Sequence, residues 1–97
     1  MAAKKEREEY ERCNSDNIGA YVMAQDFVKE NLKSPSTAKF PWGTSDSTIV
    51  NLGDCKYRVK SYVDAQNSFG GMIRNNYDVV VRYNGNNRWG LVEVDIK

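Results

Sequence analysis

The sequence predicts an α+β domain in which an N-terminal helix packs on an antiparallel meander sheet of three to four strands. Two observations lead to this fold class: apolar residues recur at helical spacing over residues 18–32, and they alternate with polar residues in later segments. The helix comes first and the strands follow with short turns between them, an order typical of a two-layer α+β arrangement. The 97 residues suffice for one such domain, since compact domains contain about 100–150 residues.

The helix is expected to begin within residues 14–17, whose polar side chains can cap the first free backbone N–H groups. Behind them lies a stripe at helical spacing that is apolar except for Gln25; it consists of Ile18, Tyr21, Val22, Gln25, Val28 and Leu32 and is widened by Ala20, Ala24 and Phe27. The helix should end near Lys33, because Pro35 disfavours the helical conformation of Ser34.

Residues 1–13 form a charged extension in front of the domain, which we assign to residues 14–97. Acids and bases dominate residues 4–12, and the spacing of Glu8 and Arg12 suits a helical ion pair. The extension is therefore expected to be helical or frayed, serving as a solvated tail or as a partner-binding arm. The sequence leaves open whether it continues into the helix.

A connector rich in Ser, Thr, Pro and Gly occupies residues 34–47. Phe40 and Trp42 flank Pro41 within it. We expect both aromatic side chains to pack against the edge of the core, in preference to forming a ligand-binding shelf.

Four segments have the alternation or the composition of strands, over residues 48–52, 55–65, 72–83 and 89–96. A loop with an odd number of residues should join the second strand to the third, because inner residues must face inner residues. The predicted helix-facing residues are Cys55, Tyr57, Val59, Val63 and Ala65, then Ile73, Tyr77, Val79, Val81 and Tyr83, then Val92, Val94 and Ile96.

The last hairpin is predicted to turn at Gly85 and Asn86, since both residue types tolerate positive φ angles. This turn places Arg82 opposite Trp89. Trp89 and Leu91 then lie on the outer sheet face, away from the helix.

The chain contains no histidine, which excludes histidine-based nucleophile pairs, a histidine general base and mixed Cys/His zinc sites. Its carboxylates show no catalytic or EF-hand spacing. Asp78 and Glu93 should meet on the outer face, where Arg58 and Arg82 compensate them in preference to a cation. We therefore predict a protein that is not an enzyme and holds no cofactor and no metal.

The two cysteines, Cys13 and Cys55, lack CxxC spacing. Such thiols are more typical of a protein in a reducing compartment than of a secreted, disulfide-bonded fold, although the sequence leaves their pairing open. The N-terminal residues show no apolar signal segment, and no apolar run approaches the ~18 residues of a membrane span. A cytoplasmic location without membrane contact is expected.

The outer sheet face is the predicted binding surface. It should present an apolar patch rimmed by arginines, formed by Trp89, Leu91, Val80, Arg82, Arg58 and Tyr62. Exposed apolar patches mark partner contacts, and Trp and Arg dominate interface hot spots. A cross-strand stack of Trp89 on Arg82 that merely supports the sheet is the competing interpretation.

Nucleic-acid binding is the alternative function for the same face. It would use a basic stripe formed by Lys56, Arg58, Lys60 and Arg74, with Tyr62 and Trp89 stacking on bases. The acidic neighbours and the net charge of +1 count against it. An unidentified protein partner is thus the main prediction, and a homodimer is compatible with it.

Two segments, LKSPSTAKFP at residues 32–41 and SYVDAQNSFG at residues 61–70, resemble a small domain of uncharacterised bacterial lipoproteins and prophage proteins. The resemblance covers about residues 20–96, without the lipoprotein cysteine and zinc ribbon that accompany some of those proteins. The predicted arrangement is also similar to the cystatin-like fold, which is widely used for binding and inhibition. We therefore predict a non-catalytic protein-binding module, an accessory protein of a phage or mobile element that binds and inhibits a host macromolecule.

Overall fold

The computed structural model describes Cys13 and residues 15–97, and it has the predicted α+β architecture. Helix α1 (Asn17–Glu30) and a short 3-10 helix (Pro35–Thr37) precede the strands. The strands are β1 (Thr48–Gly53), β2 (Lys56–Gln66), β3 (Met72–Tyr83) and β4 (Trp89–Ile96), and they form one antiparallel sheet in the order β1-β2-β3-β4. Within the described part of the chain, no helix is long and apolar enough to cross a membrane. The predicted charged extension, Cys13 apart, lies outside the described residues.

The start of α1 agrees with the prediction, and its end comes earlier. Asp16 caps the helix, accepting a hydrogen bond from the Gly19 N–H at 2.9 Å. After Glu30, the Asn31 N–H donates to the Val28 carbonyl at 2.9 Å, which closes a tighter turn. The helix therefore ends before Lys33.

The buried face of α1 is rotated from the predicted stripe and centred on alanines. It consists of Ala20, Tyr21, Ala24 and Val28. Ile18 and Val22 are 62% and 48% exposed, so the prediction that they face the core was wrong. Small side chains let the helix backbone approach the sheet closely, and the sheet fills the space with Tyr57, Val59, Val63, Tyr77, Val79 and Val81.

The predicted placement of inner residues opposite inner residues in β2 and β3 is confirmed. Val59 pairs with Val79, and the predicted inner residues of β2 are all buried. Ser61 is buried on the same face, where its hydroxyl lies 2.7 Å from that of Ser47. The β2–β3 loop has the predicted odd length, because Gln66 pairs with Met72.

The register of the β3–β4 hairpin differs from the prediction. Its loop covers residues 84–88, and residues 85–87 all have positive φ angles. Tyr83 therefore pairs with Trp89, where the two-residue turn would have paired Trp89 with Arg82. The prediction was wrong because Asn87 is also left-handed, in addition to Gly85 and Asn86, and this lengthens the loop.

A β-bulge at Val92 changes the alternation within β4. Leu91 pairs with Val81 whereas Glu93 pairs with Val80, so Val92 is the extra residue. Before the bulge, Trp89 and Leu91 lie on the helix side of the sheet, opposite Tyr83 and Val81. Residues after it keep their predicted sides, with Glu93 on the outer face.

The connector over residues 34–47 runs beside β2. Lys39 and Asp64 exchange two backbone hydrogen bonds, of 2.7 and 2.9 Å. Phe40 packs against the core as predicted. Trp42 is 99% exposed, so its predicted packing was wrong.

Cys13 and Cys55 form a disulfide, with Cα atoms 5.3 Å apart. The Tyr57 hydroxyl reinforces this link, because it donates to the Cys13 carbonyl and accepts from the Asp16 N–H at 2.9 Å. The disulfide joins the segment before α1 to the β1–β2 turn. The prediction of a reducing compartment assumed that the two thiols are separate, and the disulfide removes that assumption.

Candidate functional site

Trp89, the centre of the predicted patch, lies on the helix side of the sheet. Its ring centroid is 5.3 Å from that of Tyr83 and 6.2 Å from that of Tyr57. The half-buried indole packs against the hydrophobic core. Arg82 lies on the opposite face, where it pairs with Gly90. The predicted outer-face neighbourhood of Trp89 and Arg82 was therefore wrong, because the longer turn reverses the side of Trp89.

The remaining apolar members of the patch are separated as well. Leu91 is on the helix side and 37% exposed. Val80 is on the outer face, but it is only 3% exposed. Its cross-strand neighbours Arg58 and Glu93 form an ion pair at 3.3 Å that spans the strand on which Val80 lies. The outer face consequently presents charge where the sequence predicted apolar surface.

Three of the four basic residues of the predicted stripe are paired with carboxylates. Arg58 Nε lies 3.4 Å from Asp78 Oδ1, and Lys60 Nζ lies 3.9 Å from Asp78 Oδ2. Arg74 makes two hydrogen bonds to Asp64, of 2.8 and 3.0 Å. Intramolecular pairing of this kind removes cations that a phosphate backbone would otherwise contact.

Tyr62 belongs to the same charged layer. The Arg74 guanidinium carbon lies 3.9 Å from the centroid of the Tyr62 ring, so one stacking face of the ring is occupied. The hydrogen bonds from Arg74 hold the pKa of Asp64 below its ordinary value. Lys56, the fourth member of the predicted basic stripe, forms no ion pair with any described residue.

A shallow cleft of about 390 Å³ crosses the outer face near the end of β4. Asp78 and Asp95 line it together with Lys60 and Lys97, and each carboxylate lies 3.9 Å from one of these amines. No group of three potential metal-ligating side chains occurs among the described residues. Asp78 pairs across the strands with Asp95 and not with Glu93, so the predicted meeting of Asp78 and Glu93 was wrong. Arg58 compensates both carboxylates as predicted, whereas Arg82 forms its ion pair with Asp54.

The aromatic side chains that face water lie on loops. Trp42 is 99% exposed and Phe69 is 96% exposed. The sequence analysis treated Trp42 as a packing residue, and Phe69 fell in the loop between the second and third strands. The available signal was the absence of strand or helix periodicity around both residues, which leaves no neighbouring element to bury them.

The loop that carries Trp42 is fixed on both sides. Phe40 packs against the core and contacts the Tyr77 ring edge-on, with centroids 6.4 Å apart. On the other side, the Ser47 hydroxyl is bonded to that of Ser61 at 2.7 Å. The indole thus projects from a short span between two anchors.

Phe69 sits at the tip of a hydrogen-bonded turn. The Asn67 side-chain oxygen accepts from the N–H groups of Phe69 and Gly71, at 2.9 and 3.0 Å. Lys33 Nζ donates to the Ser68 hydroxyl at 3.2 Å, which ties the turn to the segment after α1. The turn therefore sets the backbone position of Phe69, from which the exposed ring projects.

A second cleft, of about 230 Å³, lies between the segment after α1 and the β2–β3 hairpin. Its apolar lining consists of Leu32, Ala65, Ile73 and Ile96. Polar residues of the neighbouring turn complete it, among them Asn67 and Ser68. Phe69 follows Ser68 directly, so an exposed phenyl group stands beside an open apolar cleft.

No family model, curated protein or solved structure matches the chain. The resemblance to a domain of bacterial lipoproteins and prophage proteins stays a prediction, as does the cystatin-like comparison.

Proposed function

We propose that the chain is a non-catalytic protein-binding module that contacts its partner through Trp42. The observation that carries this proposal is the 99% exposure of an indole on a loop anchored at both sides. Burying a large apolar side chain stabilises a fold by roughly 1.5–3 kcal/mol, and this domain forgoes that contribution. Tryptophan is also among the side chains most enriched in interface hot spots.

The anchoring of the loop supports the same function. Phe40 and Ser47 hold the two sides of the loop through core packing and a hydrogen bond. A partner that covers Trp42 would therefore have little loop motion to restrict, which lowers the entropic cost of association.

The outer sheet face plays a smaller part in this proposal than in the sequence prediction. Arg58, Lys60 and Arg74 already engage carboxylates of the same face, so a protein partner is favoured over nucleic acid. Nucleic-acid binding stays the alternative. It requires an affinity that falls steeply with added salt, because counterions are released from the phosphates.

The compartment is part of the proposal. The sequence favoured the cytoplasm, but the Cys13–Cys55 disulfide supports an oxidising compartment, since disulfides persist there and are rare in the cytosol. The narrower predictions, an accessory protein of a phage or mobile element and inhibition of a host macromolecule, fit this function because occupying a partner surface needs no catalytic group.

The experiment is a capture comparison with the oxidised protein immobilised. Cytoplasmic and periplasmic fractions of a bacterial lysate are passed over wild type, Trp42→Ala, Trp42→Phe and the exposed-helix control Lys29→Ala. We expect a specific partner to be retained by wild type, by the control and in part by Trp42→Phe, and to be lost from Trp42→Ala. Thermal unfolding should be the same for all four. Equal capture by wild type and Trp42→Ala would reject the proposal.

A further inference from the structure

We propose that two copies of the chain form a weak two-fold dimer in which Phe69 of each copy enters the apolar cleft of the other. The cleft is the one of about 230 Å³ lined by Leu32, Ala65, Ile73 and Ile96. This inference goes beyond the proposed function, because it uses the β2–β3 turn and not the loop that carries Trp42.

Hydrogen bonds fix the backbone of the turn that presents the phenyl group. Asn67 holds the turn through hydrogen bonds to Phe69 and Gly71, and Gly70 supplies the left-handed conformation with φ of 83°. Phe69 stays 96% exposed although the adjacent Ser68 lines the cleft. The ring therefore does not fill the cleft of its own chain.

The cleft has the size and chemistry that a phenyl ring needs. An apolar cavity of about 150 Å³ lined by Leu, Ile and Phe binds benzene, so a cleft of about 230 Å³ has enough volume for a phenyl ring. Ile73 is 45% exposed, so an inserted ring would cover apolar surface that now contacts water.

The arrangement is self-complementary. A two-fold contact joins the same patch on both copies, and here the projecting ring and the receiving cleft are parts of one patch. Lys33 is the one charged residue among the described lining residues. The described lining contains no carboxylate, so the contact buries no negative charge of the cleft.

The open edge of β4 is a poorer route to self-association. Glu93 and Asp95 have side chains that are 65% and 62% exposed, and antiparallel pairing of two β4 edges would bring these like charges together. The bulge at Val92 also interrupts the edge. The contact between the cleft and Phe69 is therefore favoured over pairing through this edge.

The dimer should be weak, because one turn and one helix end bury less than the ~1,200 Å² of a standard interface. Sedimentation velocity at protein concentrations of about 10 μM to 1 mM covers the dissociation constants of such a weak dimer. The samples are wild type, Phe69→Ser, the cleft variant Ile73→Lys and the control Trp42→Ser, which removes an equally exposed aromatic ring elsewhere. Circular dichroism checks that each variant is folded.

We expect the sedimentation coefficient of wild type and of Trp42→Ser to rise with concentration. Both Phe69→Ser and Ile73→Lys should weaken association at least about tenfold, because each dimer loses two buried phenyl contacts. A wild-type chain that stays monomeric throughout would overturn the proposal. So would association that survives Phe69→Ser in full or that is lost equally in Trp42→Ser.

Discussion

The Trp89 ring lies edge-on against that of Tyr83, its cross-strand partner, with centroids 5.3 Å apart at an interplanar angle of 71°. This pair covers the part of the core around Tyr57. Of the two tryptophans, one therefore supports the fold and the other, Trp42, faces water.

Trp89→Ala should destabilise the domain by about 2–3 kcal/mol, somewhat less than for a fully buried tryptophan because the indole is half-buried. Trp42→Ala should change the free energy of unfolding by no more than about 0.5 kcal/mol. Urea unfolding of both variants measures the difference. The reverse order of stability would contradict the assignment of the two side chains.

Deleting Val92 should be tolerated, because it is the extra residue of the bulge. Without it, Leu91 stays opposite Val81 and Glu93 stays opposite Val80, so each side chain keeps its side of the sheet and the ladder becomes regular. We expect cooperative unfolding and a destabilisation of less than about 2 kcal/mol. Val92→Thr, which keeps the residue count, is the control, and urea unfolding compares the two variants. Loss of cooperative unfolding in the deletion variant alone would show that Val92 is not the extra residue.

Removing the disulfide should destabilise the fold substantially. The bridge closes a separation of 42 residues, for which the loop-entropy relation gives about 4 kcal/mol. The double variant Cys13→Ser, Cys55→Ser should therefore unfold at lower temperature than oxidised wild type. Reducing agent should lower the melting temperature of wild type and leave that of the double variant unchanged. Insensitivity of wild type to reduction would argue that the bridge adds no stability.

Tyr77 should contribute to loss of stability at alkaline pH. Burial raises its pKa to about 12, whereas a tyrosine of the unfolded chain titrates near ~10. The unfolded state loses its proton first, so the stabilisation is complete below about pH 10 and disappears as pH rises through about 12. Tyr57, whose pKa burial also raises, adds to the same trend.

Tyr77→Phe tests this assignment. The buried Tyr77 hydroxyl lies near Ser61 but forms no hydrogen bond with it. Its removal should therefore lower the free energy of unfolding at neutral pH by less than about 1 kcal/mol. The slope of unfolding free energy against pH should become shallower above pH 10. An unchanged slope would assign the alkaline loss to other groups.

The fold could be predicted where one periodicity extends over a long segment. β2 alternates without interruption, and the odd-length loop that joins it to β3 keeps inner residues opposite inner residues. The buried face of α1 could not be predicted from spacing alone, because alanines and larger apolar residues both recur at helical intervals. The distance between helix and sheet decides that Ala20 and Ala24 are the buried ones.

The binding surface could not be predicted because it depends on local departures from periodicity. One additional left-handed residue in the β3–β4 loop moves Trp89 to the helix side of the sheet. The bulge at Val92 then restores the predicted alternation, so Glu93 stays on the outer face. The sequence signals for the exposure of Trp42 were the connector composition and the absence of periodicity around it, and neither sets the direction of a single side chain. The pairing of Cys13 with Cys55 depends on a Cα distance that only the folded chain provides.

The most direct test of the account is iodide quenching of tryptophan fluorescence in two single-tryptophan variants. Trp89→Phe retains Trp42, and Trp42→Phe retains Trp89. We predict efficient quenching and red-shifted emission for Trp42, with several-fold weaker quenching and bluer emission for Trp89 in the folded protein. A shielded Trp42, or a Trp89 quenched as readily as in the unfolded chain, would contradict the account.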